Sequence, residues 1–522
     1  ISYYAKQGMK SVIFPGADPT VTWNKYAHEK GDSFYPWTDF VNKNPNEPAF
    51  VSHLGPLTHI QFTDPKLAKE YFQKEIDFYK KDQTFDTLEI VFDDSLGLIP
   101  YAPWKARRRL YSQAFHFEFL KDNLPIIEDQ AIRFCNRVHP SKNKNFLATP
   151  EIKNFTGMVA GQLFFGEDMS EVKVEGENII SYLSDLCERM LSLFASALLF
   201  VFGHRIVYMR LFSEHRELFR RKAVFAEASR KLIAKKEQQM NNGEGSQKNN
   251  LLQIFIKAKS DPETELKDSS IVAEFMGFFF AGVDTTSALL NNGFYLLCEN
   301  PHVAEKIREE IAPHWSVGQP LSIDIINKFE YLYAFLKEAL RMAAITFLVA
   351  GREAVKDHTI GNIKIKKGTL VAVGGRAMSF HPKYYKDPYK FEPERFLRKD
   401  PEELFNSDPF IFLPFSSGKR NCLGQHLAFL EARVLLINLL MRYNMEFPEG
   451  FKKGWKVDGH GLFTPLTPLR PVLTPRVQKF QRIDIYTEYS YIHSCTILEF
   501  VEGENHSYNL DKRTFKNFIP KI

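Results

Sequence analysis

A ten-residue segment near the end of the chain constrains its structure more than any other feature. Residues 415–424 match the pattern Phe-x-x-Gly-x-Arg-x-Cys-x-Gly, and the fixed positions are Phe415, Gly418, Arg420, Cys422 and Gly424. With ordinary residue frequencies, chance gives this pattern about once in ten million starting positions. A helical pattern follows at once, over about residues 424 to 442, so we expect Cys422 in a tight loop just before a helix.

The residue types of this loop suit a thiolate that binds iron. A cysteine thiolate pushes electron density onto haem iron and favours O–O cleavage. The N-terminus of the following helix offers backbone donors and a positive dipole end, which favour thiolate over thiol at Cys422. Gly418 and Gly424 allow a tight loop and close approach to a porphyrin, Arg420 can pair with a propionate, and Phe415 can pack over the sulfur. The alternative is an ordinary buried cysteine in a turn.

Three other segments carry fixed-spacing patterns. Residues 338–341 read Glu-Ala-Leu-Arg, so Glu338 and Arg341 share one helix face. Residues 280–286 read Phe-Ala-Gly-Val-Asp-Thr-Thr inside a helix predicted from about Ser269 to Glu299, about 45 Å long. Residues 104–108 read Trp-Lys-Ala-Arg-Arg, with the first and last side chains one turn apart. Taken singly, these patterns can also come from an exposed ion pair or from ordinary helix packing.

In this combination and order the motifs resemble those of the cytochrome P450 superfamily, in particular its eukaryotic microsomal members. The resemblance extends from the first predicted hairpin to about Arg476. It implies a single large fold, mainly α with small β-sheets, in which haem b lies between the long central helix and the Cys422 loop. It also implies that Glu338 and Arg341 join Arg395, within Phe-Glu-Pro-Glu-Arg-Phe at residues 391–396, in a buried ionic network that supports the loop.

The resemblance also implies roles for residues around the cofactor. Cys422 is the metal ligand. Ala281 leaves space above the iron, Thr285 hydrogen-bonds the oxygen that is activated, and Asp284 helps to relay protons. The haem-binding residues are then Trp104, Arg108, Arg352, Phe415, Gly418, Arg420, Gly424 and Ala281, of which Trp104, Arg108 and Arg352 are expected at the propionates.

The implied reaction inserts one atom of O₂ into a hydrophobic organic substrate, such as a lipid, a sterol or a xenobiotic. Electrons would come from a separate NADPH-dependent flavoprotein reductase, because no nucleotide-binding or flavin segment is recognisable in the sequence. The resemblance further implies the cytosolic face of the endoplasmic reticulum membrane. The chain does not begin with methionine, so we expect a membrane anchor to precede Ile1.

Two other functions remain open. A haem-thiolate isomerase or dehydratase of hydroperoxides needs no electrons from a partner, and the intact Asp284–Thr285 pair argues against it. An inactive haem-binding relative or sensor is not an enzyme, and the complete set of motifs argues against that. Consumption of NADPH with a reductase distinguishes a monooxygenase from the first alternative, and haem incorporation without turnover favours the second.

By the same resemblance, Phe278, Ala281, the 343–350 segment and Leu462–Phe463 line an apolar, aromatic substrate pocket. Each of these could equally be ordinary core packing. The sequence departs from the family after Arg341, where prolines are usual and residues 342–347 read Met-Ala-Ala-Ile-Thr-Phe. The departure affects the predicted backbone path beside the pocket and leaves the Cys422 loop untouched.

Composition excludes several classes of protein. A chain of 522 residues that is 44% hydrophobic and 14% aromatic can bury a large core, which excludes a disordered class. The formal charge of +5, from 68 basic and 63 acidic residues, is too small for a dedicated nucleic-acid binder. Five cysteines without paired spacing favour a reducing, cytosol-facing environment. The apolar run at residues 190–202 is shorter than a membrane span and predicts a buried or membrane-dipping helix.

A basic cluster lies close to the predicted ligand loop. It consists of Lys105, Arg107, Arg109 and Lys419. Such a cluster can dock an acidic flavoprotein or ferredoxin, and it can equally be a solvated charged face.

Local patterns also predict the minor elements and the domains. Ala49–Leu54 and Leu57–Phe62 form a hairpin around Gly55-Pro56, and Asp64-Pro65 begins a helix. Residues 360–365 and 369–373 are predicted as strands around Lys366-Lys367-Gly368. The polar residues 241–250 predict a surface loop. With no other linker, we expect one catalytic domain over residues 1–476 and an extension of unknown role over 477–522.

Overall fold

The computed structural model describes residues 2–13, 19–54, 57–81, 85–193, 205–243, 250–343, 345, 349–398, 405, 408–457 and 462–476. Its main compact unit ends at Arg476. Residues 477–522 lie outside the described residues, so the separate extension stays a prediction. The same holds for residues 194–204, in the predicted membrane-dipping run, and for residues 244–249 of the polar loop.

Helices dominate the described chain, as the sequence predicts. In chain order they are α1 (Ser2–Ala5), α2 (Pro19–Lys30), α3 (Tyr35–Lys43), α4 (Pro65–Phe78), α5 (Phe85–Phe92), α6 (Tyr101–Tyr111), α7 (Phe117–Arg137), α8 (Ala148–Ala160), α9 (Ile179–Ser192), α10 (Arg205–Tyr208), α11 (Ser213–Asn241), α12 (Leu251–Ala258), α13 (Asp268–Glu299), α14 (Pro301–Ile311), α15 (Ile323–Ile326), α16 (Glu330–Met342), α17 (Gly375–Ser379) and α18 (Gln425–Arg442).

The long helix α13 passes through the main hydrophobic core. Its C-terminal half is buried almost all round, which the uninterrupted run of Leu, Ala, Asn and Phe side chains allows. It ends at Asn300, where Pro301 provides the first residue of α14. Both α13 and α18 begin within one residue of the predicted positions, and α8, α16 and α18 pack against α13. The central helix and the helix after the ligand loop therefore share one core.

The strands form one larger sheet and several two-stranded ones. They are β1 (Ser11–Ile13), β2 (Ala49–Leu54), β3 (Leu57–Phe62), β4 (Tyr79–Lys81), β5 (Lys173–Val174), β6 (Glu177–Asn178), β7 (Val349–Ala354), β8 (His358–Ile360), β9 (Ile363–Ile365), β10 (Leu370–Val373), β11 (Tyr443–Glu446), β12 (Trp455–Val457), β13 (Phe463–Pro465) and β14 (Val472–Pro475). The six-stranded sheet has the order β1-β2-β3-β10-β7-β4.

The predicted hairpin and helix cap are confirmed. Strands β2 and β3 pair antiparallel from Ala49↔Phe62 to Leu54↔Leu57. The Asp64 carboxylate caps α4 by accepting hydrogen bonds from the backbone N–H groups of Lys66 and Leu67.

The prediction of one strand over residues 360–365 is wrong. Gly361 has a φ of +52°, so the chain turns there and splits the segment into β8 and β9, which pair with each other. Strand β10 pairs instead with β7, which precedes β8 and β9, and with β3, which lies far away along the chain. Sequence periodicity does not show which partners a strand selects.

The described helices include no membrane-spanning candidate, since none combines sufficient length with sufficient apolar character.

Candidate functional site

A cavity of about 360 Å³ lies between α13 and the loop before α18. Its wall is mostly apolar and contains several phenylalanines, among them Phe92, Phe278 and Phe280. Polar groups enter the wall at few places, and these include Cys422, Thr285 and three arginines. A mostly apolar cavity with a few converging polar groups is the usual form of a small-molecule or cofactor site.

The loop of residues 415–424 brings the Cys422 thiol to this cavity. The Cys422 N–H donates to the Phe415 carbonyl over 3.0 Å, which closes the loop on itself. Gly418 has a φ of +75°, a conformation that favours glycine, whereas Gly424 has a φ of −87° and is not strained. The thiol is accessible to solvent although it lies deep in the protein, because it faces the cavity.

Two opposing effects act on the Cys422 thiol. Burial raises its pKa, and this is the larger effect. The backbone N–H groups of Gly424 and Gln425, at the start of α18, and the positive charge of Arg108 lower it. The helix N-terminus therefore lowers the pKa of the Cys422 thiol, as expected, but this effect is smaller than the rise caused by desolvation. A cation in the cavity would shift the balance towards thiolate.

Helix α6 supplies Trp104 and Arg108 to the wall. Trp104 is buried and stacks on Tyr101 at 5.5 Å between ring centroids. The Arg108 guanidinium donates to the backbone carbonyl and the side-chain oxygen of Asn421, over 2.8 and 2.9 Å. Arg108 therefore binds the ligand loop directly, while its predicted contact with a propionate stays a prediction.

Arg352 and Arg420 approach the cavity from β7 and from the loop. Arg352 is buried and pairs with the Glu75 carboxylate through Nη2 over 2.5 Å and through Nε over 3.1 Å. Arg420 donates to the Ile99 carbonyl over 3.1 Å and lies 4.8 Å from the Trp104 ring. Burial, and next the charge of Arg352, lower the pKa of Arg420 to about 10. This part of the cavity would therefore be stabilised by an anion.

The middle of α13 forms the opposite wall. Ala281 is exposed to the cavity in a helix that is otherwise largely buried, and Gly282 lies too close to Phe164 for a side chain to fit easily. The Thr285 hydroxyl donates to the Ala281 carbonyl over 2.6 Å and lines the cavity. Small residues and one hydroxyl thus lie across the cavity from the Cys422 loop.

Asp284 points away from the cavity. Its side chain is 3% exposed and forms an ion pair of 2.9 Å with Lys153 of α8, which is 15% exposed. Asp284 and Thr285 therefore lie on different sides of α13, although they are adjacent in sequence. A direct role of the Asp284 carboxylate inside the cavity does not fit this geometry, and a relay would have to cross the helix.

The structure brings Glu338, Arg341 and Arg395 together as one buried cluster. Glu338 accepts from Arg341 through both carboxylate oxygens over 2.7 Å, and from Arg395 over 3.3 Å. All three side chains are fully buried. Arg341 also donates to the carbonyls of Ser379, Pro388 and Lys390, which ties α16 to the segment before the ligand loop.

Not all of the predicted basic cluster is a surface feature. Arg107 is buried, and it donates to Glu274 over 3.0 Å and to the Asp94 carboxylate over 3.3 Å, so it belongs neither to a docking surface nor to a solvated charged face. Arg109 is exposed but lies 3.5 Å from Glu263. The helical period explains the difference, because Arg107 faces the core while its two arginine neighbours do not.

The described residues include part of the predicted substrate pocket. Phe278 and Ala281 line the cavity, whereas the buried Leu462 does not line its described part. Within the 343–350 segment, residues 344 and 346–348 lie outside the described residues, as does the side chain of Phe463.

Sequence reasoning missed three buried carboxylates beside the cavity. Glu75 pairs with Arg352. Glu274 of α13 accepts three hydrogen bonds, from the Leu96 N–H and from Arg107 and Tyr111 of α6. Glu431 of α18 is buried, and burial raises its pKa far above the usual range. An acidic residue inside an apolar helical run, as at 274 and 431, is the signal that could have found two of them.

A cysteine thiol that faces a cationic, apolar cavity beneath a long helix defines the site of a haem-thiolate protein. The chain belongs to the Cytochrome P450 family, whose sequence pattern matches residues 25–469. This family consists of haem-dependent oxygenases, so the protein is an enzyme of that class.

Individual relatives and solved structures are cytochromes P450 as well. The chain is similar to cytochrome P450 3A28 of Bos taurus, with 28% identity over 80% of this chain and 82% of the other. It is 26% identical to probable cytochrome P450 4ac1 of Drosophila melanogaster, over 73% and 74% of the two chains. The fold is shared with the cytochrome P450DA heme domain (TM-score 0.73, 21% identity, 90% and 98% coverage). It is also shared with retinoic acid-bound cyanobacterial CYP120A1 (TM-score 0.70, 22% identity, 84% and 94% coverage). The predicted fold class is confirmed.

The described residues fit the haem that the family implies. Three arginines and one carboxylate, Arg108, Arg352, Arg420 and Glu75, leave two positive charges on this part of the wall, and a haem carries two negative propionates. Burial and the charge of Arg352 lower the pKa of Arg420, so an anionic propionate beside Arg420 would be stabilised. Cys422 offers the sulfur ligand, and Ala281 leaves the space opposite it.

Proposed function

We propose that the protein is a monooxygenase that inserts one atom of O₂ into a hydrophobic organic substrate, with electrons from a separate NADPH-dependent flavoprotein reductase. The observation that carries the proposal is the position of the Cys422 thiol across the cavity from Ala281 and Thr285. When bound there as haem b, the cofactor supplies the oxygen chemistry. The protein's own residues bind it, exclude water and control protons.

The cavity wall favours an apolar substrate. Phe92 stacks on Phe280 at 4.9 Å between ring centroids, and Phe278 lies against Phe115 and Phe164. Such a wall offers few hydrogen-bonding groups, so burial of apolar surface would drive binding. A lipid, a sterol or a flat xenobiotic fits this description.

Protons would reach the cavity through α13. The Thr285 hydroxyl is the donor in the wall, and its present bond to the Ala281 carbonyl can be exchanged for a bond to a molecule in the cavity. The Lys153–Asp284 pair is the charged group on the other side of the helix, and Lys153 is its more exposed member. We therefore assign Thr285 to the cavity end and Asp284 to the outer end of a proton path.

A second cavity, of about 660 Å³, supports docking of an electron donor. Its wall includes Phe429, which contacts Phe415 of the ligand loop at 5.2 Å. Lys337 and Arg433 lie against the Tyr333 ring, at 4.4 and 5.4 Å. Among the described residues no carboxylate pairs with either, and burial lowers the pKa of both. We call this second cavity, with Lys337 and Arg433 in its wall, the docking groove. It is a better candidate than the cluster around Arg107 for the site where an acidic partner binds.

An exposed apolar segment supports membrane contact. Tyr208, Met209, Leu211 and Phe212 are between 43% and 64% exposed, within five consecutive positions. The exposed Arg210 lies among them and the exposed Arg205 and Arg216 lie on either side, as expected at a membrane surface with acidic lipids. We propose the cytosolic face of the endoplasmic reticulum membrane as the location. Co-sedimentation with phosphatidylcholine–phosphatidylserine vesicles should drop when Met209 and Leu211 are changed to serine, and equal binding would contradict this contact.

The proposed activity is tested by spectroscopy and turnover. The purified, haem-loaded protein should give the reduced carbon-monoxide spectrum of a sulfur ligand, and Cys422→Ser should lose it. Cys298→Ser, at a buried thiol that does not line the described cavity, is the control and should keep it. NADPH consumption with a reductase and an apolar substrate should follow. Turnover of hydroperoxides without NADPH would favour an isomerase instead, and a wild type that binds no haem would refute the proposal.

The docking groove is tested by charge reversal. Lys337→Glu should raise the KM for the reductase by about fivefold or more at low salt, with the carbon-monoxide spectrum unchanged. The exposed Lys142, on the loop after α7, provides the control Lys142→Glu. If both variants behave alike, the partner docks elsewhere.

A further inference from the structure

The segment of residues 94–98 forms part of the cavity wall without belonging to a helix or a strand. It lies between α5 and α6, and Ser95, Leu96, Gly97 and Leu98 line the cavity. Such a segment needs contacts from other elements to keep one conformation. The shape of the cavity on this side therefore depends on whatever holds residues 94–98 in place.

One carboxylate of α13 provides the central contact. The Oε2 atom of Glu274 accepts the Leu96 N–H over 2.8 Å. Its Oε1 atom accepts from Arg107 over 3.0 Å and from the Tyr111 hydroxyl over 3.1 Å. The Glu274 side chain is fully buried, so these three donors, and no bulk water, solvate the carboxylate.

The same network holds the start of the segment. Arg107 donates to the Asp94 carbonyl over 2.7 Å, and Asp94 accepts from the Ser270 hydroxyl over 2.5 Å. Gly277 of α13 packs closely on Ser95, since a Cβ atom at 277 would lie 3.0 Å from the Ser95 Cβ atom. The segment is thus fixed between α6 and α13 by one connected set of polar contacts around Glu274.

We propose that Glu274 is a positioning residue that determines which ligands fit the cavity, because its carboxylate holds residues 94–98 against α13. The inference rests on the proposed function for the identity of the cavity, and it adds a residue that does not touch Cys422. Loss of the carboxylate would release the Leu96 backbone and leave Arg107 with one acidic partner fewer. The dissociation constants of ligands that reach this wall would then change, while those of small ligands would stay the same.

The ionised form of Glu274 is the form that holds the wall. A carboxylate accepts at both oxygens, whereas a protonated acid or a glutamine keeps one acceptor and presents a donor to Leu96 or Arg107. Burial raises the pKa of Glu274 to about 7 despite the opposing effects of the Leu96 N–H, Arg107 and Tyr111. Among the described residues, the charged or titratable groups that contact Glu274 are Arg107 and Tyr111 of α6. Asp94 lies one contact further away, as the second acidic partner of Arg107. Between pH 8 and pH 6 the wild type should therefore approach the behaviour of Glu274→Gln.

Two imidazole ligands of different size test the inference on the full, haem-loaded chain. Imidazole is too small to need the wall, whereas 4-phenylimidazole reaches beyond the iron ligand position. In Glu274→Gln at pH 8, the ratio of the two dissociation constants should change by about fivefold or more, with imidazole itself within about twofold of wild type. In the wild type, the ratio should approach the variant's value as the pH falls to 6. Both dissociation constants are calculated from the concentration of the neutral, unprotonated imidazole ligand.

Hydrogen–deuterium exchange gives a second readout that needs no haem. The peptide with Leu96 should exchange about tenfold faster or more in Glu274→Gln. Glu128→Gln is the matched control, because Glu128 is another buried glutamate that accepts a backbone N–H, from Leu321, away from the cavity. If Glu274→Gln does not fold, Tyr111→Phe removes one donor and should shift both readouts in the same direction by less.

Each outcome decides the inference. A changed ligand ratio together with faster exchange at Leu96 supports it. An unchanged ratio, an unchanged exchange rate, or equal changes in Glu128→Gln would overturn it. Failure of the proposed function has a different signature, namely a wild type without the sulfur-ligand spectrum, and the exchange experiment would still report on Glu274 in that case.

Discussion

Replacement of Glu338 by glutamine isolates the buried network that supports the ligand loop. The Glu338 carboxylate accepts four hydrogen bonds, two from Arg341 at 2.7 Å, one from Arg395 at 3.3 Å and one from the Glu392 N–H at 2.9 Å. Glutamine has nearly the same shape. It removes the negative charge, and its amide N–H groups then face guanidinium donors that remain fully buried.

The expected loss of stability follows from burial. A hydrogen bond to a charged group contributes about 1.5–3 kcal/mol, but the bonds of one carboxylate are not additive. Removal of one partner from a buried ion pair costs about 3–5 kcal/mol, because the other charge stays desolvated. A domain has a free energy of unfolding of about 5–15 kcal/mol, so this change consumes a large part of it.

Urea unfolding followed by tryptophan fluorescence measures the effect, with haem retention as a parallel readout. The control is Glu217→Gln, because Glu217 forms an exposed ion pair with Arg220 and its loss should cost no more than about 1 kcal/mol. A Glu338→Gln protein within about 1 kcal/mol of wild type would refute the argument, since it would show that the network carries no net stabilisation.

Three more predictions concern the loop, the wall and the proton path. Gly418→Ala should destabilise more than Gly368→Ala in urea unfolding: both glycines have φ near +80°, but only a Cβ atom at 418 meets neighbours, Phe72 and Glu75 at 3.3 Å. Burial raises the pKa of Glu274 to about 7 in the folded state, so ionisation of this carboxyl costs the folded protein stability, although the ionised form is the one that accepts all three hydrogen bonds. This desolvation cost is absent at low pH and is complete once the pH has risen through 7. Relative to Glu274→Gln, the wild type should therefore lose about 3 kcal/mol between pH 5 and pH 8, and a pH-independent difference would contradict this. Asp284→Asn should lower kcat about tenfold or more while substrate-induced spectral shifts keep their Kd, and an unchanged kcat would remove Asp284 from the proton path.

The electrostatics of the cavity explain why its arginines behave differently. Arg108 is satisfied by Asn421 within the ligand loop, and Arg352 is satisfied by Glu75. Among the described residues, the close partners of Arg420 are a carbonyl and an aromatic ring, and burial together with the charge of Arg352 lowers its pKa. An anionic group in the cavity would therefore pair with Arg420 in preference to the two other arginines. The two other arginines serve to hold the loop and β7 in place around it.

Local spacing was sufficient for the parts of the site that lie within one element. The four residues from Glu338 to Arg341 span one helical turn, so their pairing follows from the period of the helix. The extent of α13 and the position of Cys422 just before α18 follow from apolar periodicity and from the glycine-containing loop. These features depend on backbone geometry over a few residues, which the sequence encodes directly.

The directions and partners of the charged side chains could not be read in this way. Asp284 points to Lys153, Arg107 to Glu274 and Arg352 to Glu75, and each pair joins residues more than 100 positions apart. Strand β10 likewise selects β3 and β7, and not its neighbour in sequence.

The amino-acid sequence by itself therefore determined the family, the ligand loop and the central helix, because these are carried by closely spaced residue types. Tertiary structure alone decided which charges are buried, which are paired and which face the cavity. Burial and pairing arise only when distant segments pack, and the resulting desolvation shifts the pKa of groups such as Glu274, Arg420 and Glu431.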